Sequence, residues 1–268
     1  MAALDTIASF QTTVGSTLAA GVMATGDSAV VRNFPQPGQA WLVDALYDDV
    51  TSPQAWRVRS ALLHDNVRGI QFTPGATTPS NILPGFALQD LEPQDLLTFE
   101  LSTAAATGKA LAALSIYYPQ LPGVQARLYA PGDIGPLVTN IKPVYVAVGS
   151  GANTAGQWFD QVLTTTENLL RANTDYAVLG IILDVAVAAI GIKGADTGNL
   201  RCSVPGGANN PYGAGYFWRK SLETGLPLIP VINAANAGST FVSIISSAAT
   251  GAASTAQVIL AQLTRNLT

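Results

Sequence analysis

Short runs of alternating side chains recur along this chain. Trp41, Val43 and Ala45 alternate with Leu42, Asp44 and Leu46; Ile70 and Phe72 with Gln71 and Thr73; Leu97, Phe99 and Leu101 with Thr98, Glu100 and Ser102. A period of two sends successive side chains to opposite faces, so these runs predict half-buried β-strands. Between them stand Pro35-Gln36-Pro37-Gly38, Pro74-Gly75 and Pro84-Gly85. Such words supply fixed or positive backbone torsions and block helix continuation, so the runs read as separate strands joined by turns.

The pattern is stated twice, in the same order. Val30-Val31-Arg32-Asn33, Leu42 to Asp48, Asn66-Val67-Arg68, Pro74 to Pro79, Thr98-Phe99 and Ala105-Ala106-Thr107-Gly108 recur as Leu169-Leu170-Arg171-Ala172, Val178 to Asp184, Asn199-Leu200-Arg201, Pro205 to Pro211, Thr240-Phe241 and Ala248-Ala249-Thr250-Gly251. Short Ala, Thr and Gly words match by chance, but collinearity over six blocks predicts a duplicated domain. The Asn-aliphatic-Arg block followed by Pro-Gly is the most specific.

The duplication decides an ambiguous stretch. By propensity the Ala-rich words of Thr98 to Tyr118 suit a helix. Their counterpart, Thr240 to Leu260, carries Val242, Ile244, Ile245, Val258 and Ile259, whose β-branching disfavours one. Both are therefore expected to be hairpins, the first turning near Thr107-Gly108. Tyr176 to Ile192 is nearly long enough to span a membrane, but Asp184 sits at its middle and Gly180 and Gly191 interrupt it. Two buried strands joined by a turn are expected there. Residues 1–27 read as an Ala, Thr and Gly-rich lead segment with a helix near Leu4 to Thr17. Pro119 to about Gly156 reads as the joint between the copies, with one strand at Val144 to Val148 and apolar residues to bury. Trp158 to Leu170 reads equally as a helix or as the opening strand of the second copy.

Composition narrows the function. Only 11% of the 268 residues are charged, against about 25% in an ordinary soluble domain. Interface cores are depleted in Lys, Glu and Asp, so this shortage points to a surface that meets other copies. Net charge is −4 and no Lys or Arg precedes Arg32. A phosphate-gripping footprint, a basic nucleic-acid arm and a secretory leader are therefore not expected. The apolar stretch Leu18 to Ala24 reads as a docking arm. Cys202, the single cysteine, falls with Leu200 and Val204 on one strand face and is expected to be a buried, inert thiol.

Candidate chemistry is thin. His64 is the one histidine, and no Gly-x-Ser-x-Gly elbow accompanies it. Gly149-Ser150-Gly151-Ala152-Asn153 lacks both the third glycine of a dinucleotide loop and the Gly-Lys-Ser/Thr of a P-loop, and reads as a turn. Asp90, Glu92 and Asp95 lack calcium-loop spacing and read as a solvated acidic loop. Asp48 and Asp49 are adjacent, so on a strand they face opposite sides. Tyr212, Tyr216, Phe217 and Trp218 form an aromatic patch that suits a loop or interface better than sugar stacking. No catalytic, cofactor-binding or metal residue is assigned, no cofactor is expected, and the chain is not expected to be an enzyme.

With this duplicated pattern of strands and turns, from about Val30 to Leu263, the chain resembles the double jelly-roll major capsid proteins, the lineage of adenovirus hexon and of tailless, internal-membrane-containing bacteriophages such as the corticoviruses. That lineage has no short signature motif, so the resemblance is architectural. It implies an all-β fold of two tandem antiparallel jelly-roll β-barrels or sandwiches: an N-terminal arm over 1–27, a first jelly roll over 28–122, and a linker region with the second jelly roll over 123–268. It implies a major capsid protein whose homotrimers are pseudo-hexameric tiles of an icosahedral virion shell, assembled in the host cytoplasm. Its implied partners are other copies in the trimer and in neighbouring capsomers, a vertex protein and an internal lipid membrane, without direct nucleic-acid binding. The alternatives are a tandem β-sandwich that binds carbohydrate or protein, a jelly-roll enzyme, and another virion part such as a spike or tube subunit.

Overall fold

The computed structural model describes residues 1–14, 17–35, 40–49, 53–63, 67, 69–72, 80–81, 89–103, 108–148, 153–163, 170–185, 187–206, 211–248 and 254–267. The first half contains β1 (Ala3–Val14), β2 (Ala19–Ala20), β3 (Val22–Met23), β4 (Ala40–Asp49), β5 (Pro53–Arg59), β6 (Ile70–Phe72), β7 (Ser80–Asn81), β8 (Gln89–Leu91), β9 (Thr98–Thr103) and β10 (Gly108–Tyr118). One sheet runs β3-β1-β10-β4-β7, with β8 also paired to β4; the other runs β2-β9-β5-β6.

The second half contains β11 (Leu128–Tyr129), helix α1 (Pro131–Ile134), β12 (Val138–Val148), β13 (Phe159–Val162), β14 (Asp175–Leu183), β15 (Ala189–Lys193), β16 (Cys202–Pro205), helix α2 (Tyr216–Thr224), β17 (Ile229–Asn233), β18 (Phe241–Ile245) and β19 (Ser254–Leu263). Its sheets run β11-β17-β14-β19-β12 and β13-β18-β15-β16. Counting β12 to β19 as strands one to eight, the orders are 6-3-8-1 and 2-7-4-5. The first half repeats them: β1-β10-β4-β7 is 1-8-3-6, and β2-β9-β5-β6 is 2-7-4-5, with β3 and β8 as additions. Among the described residues all strand pairings are antiparallel. This nested order, in which the first strand lies beside the last and the chain keeps changing sheets, is the jelly roll. The chain is all-β and holds it twice.

Several expectations change in detail. Ala3–Val14 is a strand, neither a helix nor an arm: it pairs along nearly its whole length with β10, from Ala3↔Tyr118 to Val14↔Gly108. The docking arm expected at Leu18 to Ala24 instead supplies β2 to the opposite sheet and β3 to the edge beside β1. The second jelly roll likewise begins inside the supposed joint, since β12 is its first strand and Phe159–Val162 its second. The two expected hairpins are strand pairs in chain order only. β9 pairs with β2 and β5 while β10 pairs with β1 and β4, and β18 and β19 separate in the same way. Tyr176 to Ile192 does hold two buried strands, β14 and β15, again in opposite sheets.

Each sandwich closes over its own core. Trp56, Leu42, Leu101, Leu114 and Ile116 fill the first; Val178, Ile190, Phe217, Ile232, Val258 and Leu260 fill the second. A third, smaller cluster of Ala8, Phe10, Leu111, Ala113, Ala188, Ala189 and Ile245 joins residues of both halves.

Candidate functional site: the contact between the two jelly rolls

The β1-β10-β4 face of the first jelly roll is covered twice. Ala3, Ile7, Ala112, Leu114 and Ile116 point into its own core. On the opposite face Leu4, Val43 and Tyr117 join the core of the second jelly roll, and Ala8, Phe10, Leu111 and Ala113 join the shared cluster. A strand buried on both faces loses the apolar-polar alternation of a solvated sheet. Hence β1 reads as Ala-Leu-Asp-Thr-Ile-Ala-Ser-Phe, and β10 is rich in alanine. Small side chains let the sheet approach its neighbour closely. Along this face lies β16, the edge strand of the second jelly roll, where the Cys202 thiol approaches the Leu4 carbonyl at 3.6 Å. Gly156, at φ +71°, sits where any Cβ would collide with the Phe10 ring. The Trp41 and Tyr117 rings stack in parallel on this face, 5.9 Å apart.

Polar groups clasp the seam. The Asp27 carboxylate accepts hydrogen bonds from the Ala8 N–H at 2.8 Å and from Trp158 Nε1 at 2.8 Å, and it meets Arg201 Nη1 at 3.3 Å. The Arg201 guanidinium lies over the Trp158 ring, 4.7 Å from its centroid, and reaches Asp160 at 3.5 Å. Asp160 also accepts from Lys193 at 3.2 Å and from the Ser243 hydroxyl at 2.6 Å. The Thr25 N–H donates to Gln157 Oε1 across the same boundary.

The two carboxylates are shifted in opposite senses. Burial pushes Asp27 up to about 6, with the charge of Asp5 adding slightly; the bonds from Trp158 and Ala8 and the Arg201 charge only partly oppose it. Burial also acts on Asp160, but Ser243, Arg201 and Lys193 outweigh it and hold that carboxyl below its ordinary value. The arrangement ties residues of the first jelly roll, Ala8, Thr25 and Asp27, to residues of the second, Gln157, Trp158 and Arg201.

Charge is drawn inward elsewhere too. Glu100 on β9 accepts from Arg57 and Arg59 on β5, Asp5 accepts from Arg32 at 2.8 Å, and Arg127 bridges Asp175 and Asp196. With Lys193 and Arg201, at least six of the 13 Lys and Arg residues take part in ion pairs.

The residues singled out from the sequence do not converge. His64 and residues 149–152 of the glycine-rich word lie outside the described residues, as do the side chains of Asp48 and Asp49. Asp95 is buried and accepts from the Ser60 hydroxyl, while Asp90 and Glu92 face solvent. Among the described residues no three His, Cys, Asp or Glu side chains form a group able to hold a metal. The aromatic patch divides: Tyr216 and Phe217 are buried on α2 with rings 5.5 Å apart, whereas Tyr212 is 69% exposed under the Arg219 guanidinium. Cys202 is fully buried, and burial pushes its thiol far up, as expected of an inert packing residue. Asp27, Trp158 and Asp160 were not singled out by the sequence. Arg201 lay inside the repeated Asn-aliphatic-Arg word, the one signal that touched the clasp.

No family model and no curated protein matches the chain. Among solved structures, a chain of Sulfolobus turreted icosahedral virus is 10% identical, with 99% of this chain and 81% of that one covered at a TM-score of 0.26. The major capsid protein of bacteriophage PM2 is 11% identical, with 99% of both chains covered at a TM-score of 0.22. The PBSX exported protein XepA is 8% identical, with 97% and 86% covered at 0.21. Likeness at these scores adds no weight, so the fold assignment rests on strand order: the chain is a tandem pair of jelly rolls docked through a buried seam.

Proposed function

We propose that this chain is a coat-building protein, the major capsid protein of a virion, whose homotrimers act as six-sided tiles of an icosahedral shell. The observation that supports this reading is the seam. Two jelly rolls of identical strand order are locked side by side in one polypeptide, so three chains supply six similar building blocks to a ring. The scarcity of charged residues, 11% of the chain, agrees with large contact areas between copies. Partners under this reading are other copies, within the tile and between tiles, together with a vertex protein and a lipid layer beneath the shell. With a net charge of −4, direct packaging of nucleic acid is not part of the proposal.

The carbohydrate-binding alternative draws less support, because two of the four aromatic residues it would use are core residues of the second jelly roll. Light scattering across a concentration series, followed by electron microscopy of the purified protein, tests the proposal. A stable trimer with a six-sided outline is expected. A protein that stays monomeric at high concentration overturns it.

A further inference from the structure

The two jelly rolls differ in charge at one equivalent place. In the first, Asp5 lies opposite Ile116, which lies opposite Leu42. In the second, Lys142 lies opposite Leu260, which lies opposite Val178. Leu42 and Val178 open the same repeated word, so Lys142 stands where the first jelly roll has Asp5. The repeat also aligns Arg32 with Arg171, and their backbones are anchored alike. The Arg32 N–H donates to the Tyr118 hydroxyl at 3.4 Å, and the Arg171 N–H to the Tyr176 hydroxyl at 2.8 Å. In the first jelly roll Asp5 neutralises Arg32 at 2.8 Å. In the second a cation stands in place of that carboxylate, and Arg171 pairs with no carboxylate among the described residues.

Arg171 opens onto a polar basin of about 720 Å³ at the end of the β12-β19-β14 sheet, lined also by Asn140, Asn173, Gln262, Arg265 and Asn266. Both arginines are exposed, and Arg265 too lacks a carboxylate partner among the described residues. No described Asp or Glu lines the basin. Asp175, just beyond Thr174 in the chain, is fully buried, and its oxygens are taken by Arg127, the Asn233 amide and the Leu267 N–H. The rim is fixed in place. The Asn266 amide donates to the Asn173 carbonyl at 2.8 Å and accepts from the Asp175 N–H at 3.1 Å, while the Thr264 N–H donates to the Leu137 carbonyl at 2.9 Å.

Two guanidiniums facing one basin repel each other until a shared anion neutralises both. The guanidinium fork matches the oxygens of a phosphate, and neighbouring amides add further donors. We propose that this basin binds a phosphate group, held by Arg171 and Arg265, either as the free anion or as the headgroup of a lipid. The site stands on the charge difference between the two jelly rolls and does not depend on the coat-building reading.

Isothermal titration of inorganic phosphate into the full chain tests the site, with Arg171→Gln, Arg265→Gln and the double variant for comparison. Lys109→Gln, which alters an exposed lysine outside the basin, is the control. Each single arginine substitution is expected to weaken binding by about tenfold, the loss of one charge-assisted contact. The double variant is expected to abolish binding, and the control to leave it unchanged. Flotation with phosphatidylcholine vesicles, with and without phosphatidic acid, separates the two sources. Flotation that requires phosphatidic acid and both arginines assigns the lipid headgroup, whereas phosphate binding without flotation assigns the free anion. A wild type that binds neither phosphate nor phosphatidic acid vesicles, or undiminished binding by the folded double variant, overturns the proposal.

Discussion

Arg201 and Asp27 lie 174 residues apart in sequence and meet at 3.3 Å across the boundary between the two jelly rolls. Both are largely withdrawn from solvent, with side chains 13% and 4% exposed. Removing one partner of a buried ion pair strands the other's charge in a poorly polar setting. Arg201→Ala leaves both Asp27 and Asp160 without their guanidinium and removes the stack on Trp158. A loss of about 3–5 kcal/mol in urea unfolding is expected, with Arg201→Lys recovering only part of it, since an ammonium cannot reach both carboxylates and cover the ring. Equal stability of Arg201→Ala and wild type would remove the clasp from the account.

Asp27 gives the seam a pH dependence of unusual sign. Its carboxyl titrates near 6 in the fold, above its ordinary value of 3.8. The folded protein therefore binds this proton more tightly than the unfolded chain does. The ionised form costs stability at pH 7, and the cost is relieved as pH falls through 6 toward 4. The gain is on the order of 2–3 kcal/mol. Asp160, Asp175 and Glu100 are held below their ordinary values by their partners, so their contributions are lost only in more acidic solution. Calorimetry should show Tm rising from pH 7 to pH 5, and Asp27→Asn should flatten that slope. A slope unchanged by the substitution would assign it elsewhere.

The alanines of β10 set how closely the two jelly rolls approach. Ala113 is fully buried in the shared cluster beside Ala8 and Ala188. Ala113→Leu should overpack the seam and cost about 1–3 kcal/mol. Because the strain falls between two separate cores, a single unfolding transition should broaden or divide. A sharp, single transition at the wild-type midpoint would show that the seam tolerates the added volume.

Gly180 on β14 lies against the segment that leads into α2, where an added Cβ would fall 1.8 Å from the Gly213 carbonyl oxygen. Gly180→Ala must displace that segment. A loss of at least about 2 kcal/mol is expected, with a change in tryptophan fluorescence because Trp218 rides on α2. Unaltered fluorescence and stability would mean that the segment packs less closely than its geometry indicates.

Much of this architecture was legible in the residues. The paired words that align Leu42 to Asp48 with Val178 to Asp184 mark equivalent strands, β4 and β14, and those at Thr98 and Thr240 mark β9 and β18. Cys202 was readable as buried because alternation around it is clean. The lead segment was not readable. Its strand is buried on both faces, and without alternation Ala-Leu-Asp-Thr-Ile-Ala-Ser-Phe carries no period to distinguish strand from helix.

What the sequence by itself determined is local: which segments extend, where turns separate them, that the pattern occurs twice, and that charge is scarce. Tertiary structure alone decided to which sheet each strand belongs, because periodicity reports a strand's faces but not its neighbours. It alone brought Asp27, Trp158, Asp160 and Arg201 together, since residues so far apart meet only after both sandwiches have closed. It also made two like faces unlike, burying the one on β1 and β10 under the second jelly roll and leaving the one on β12 and β19 only partly covered.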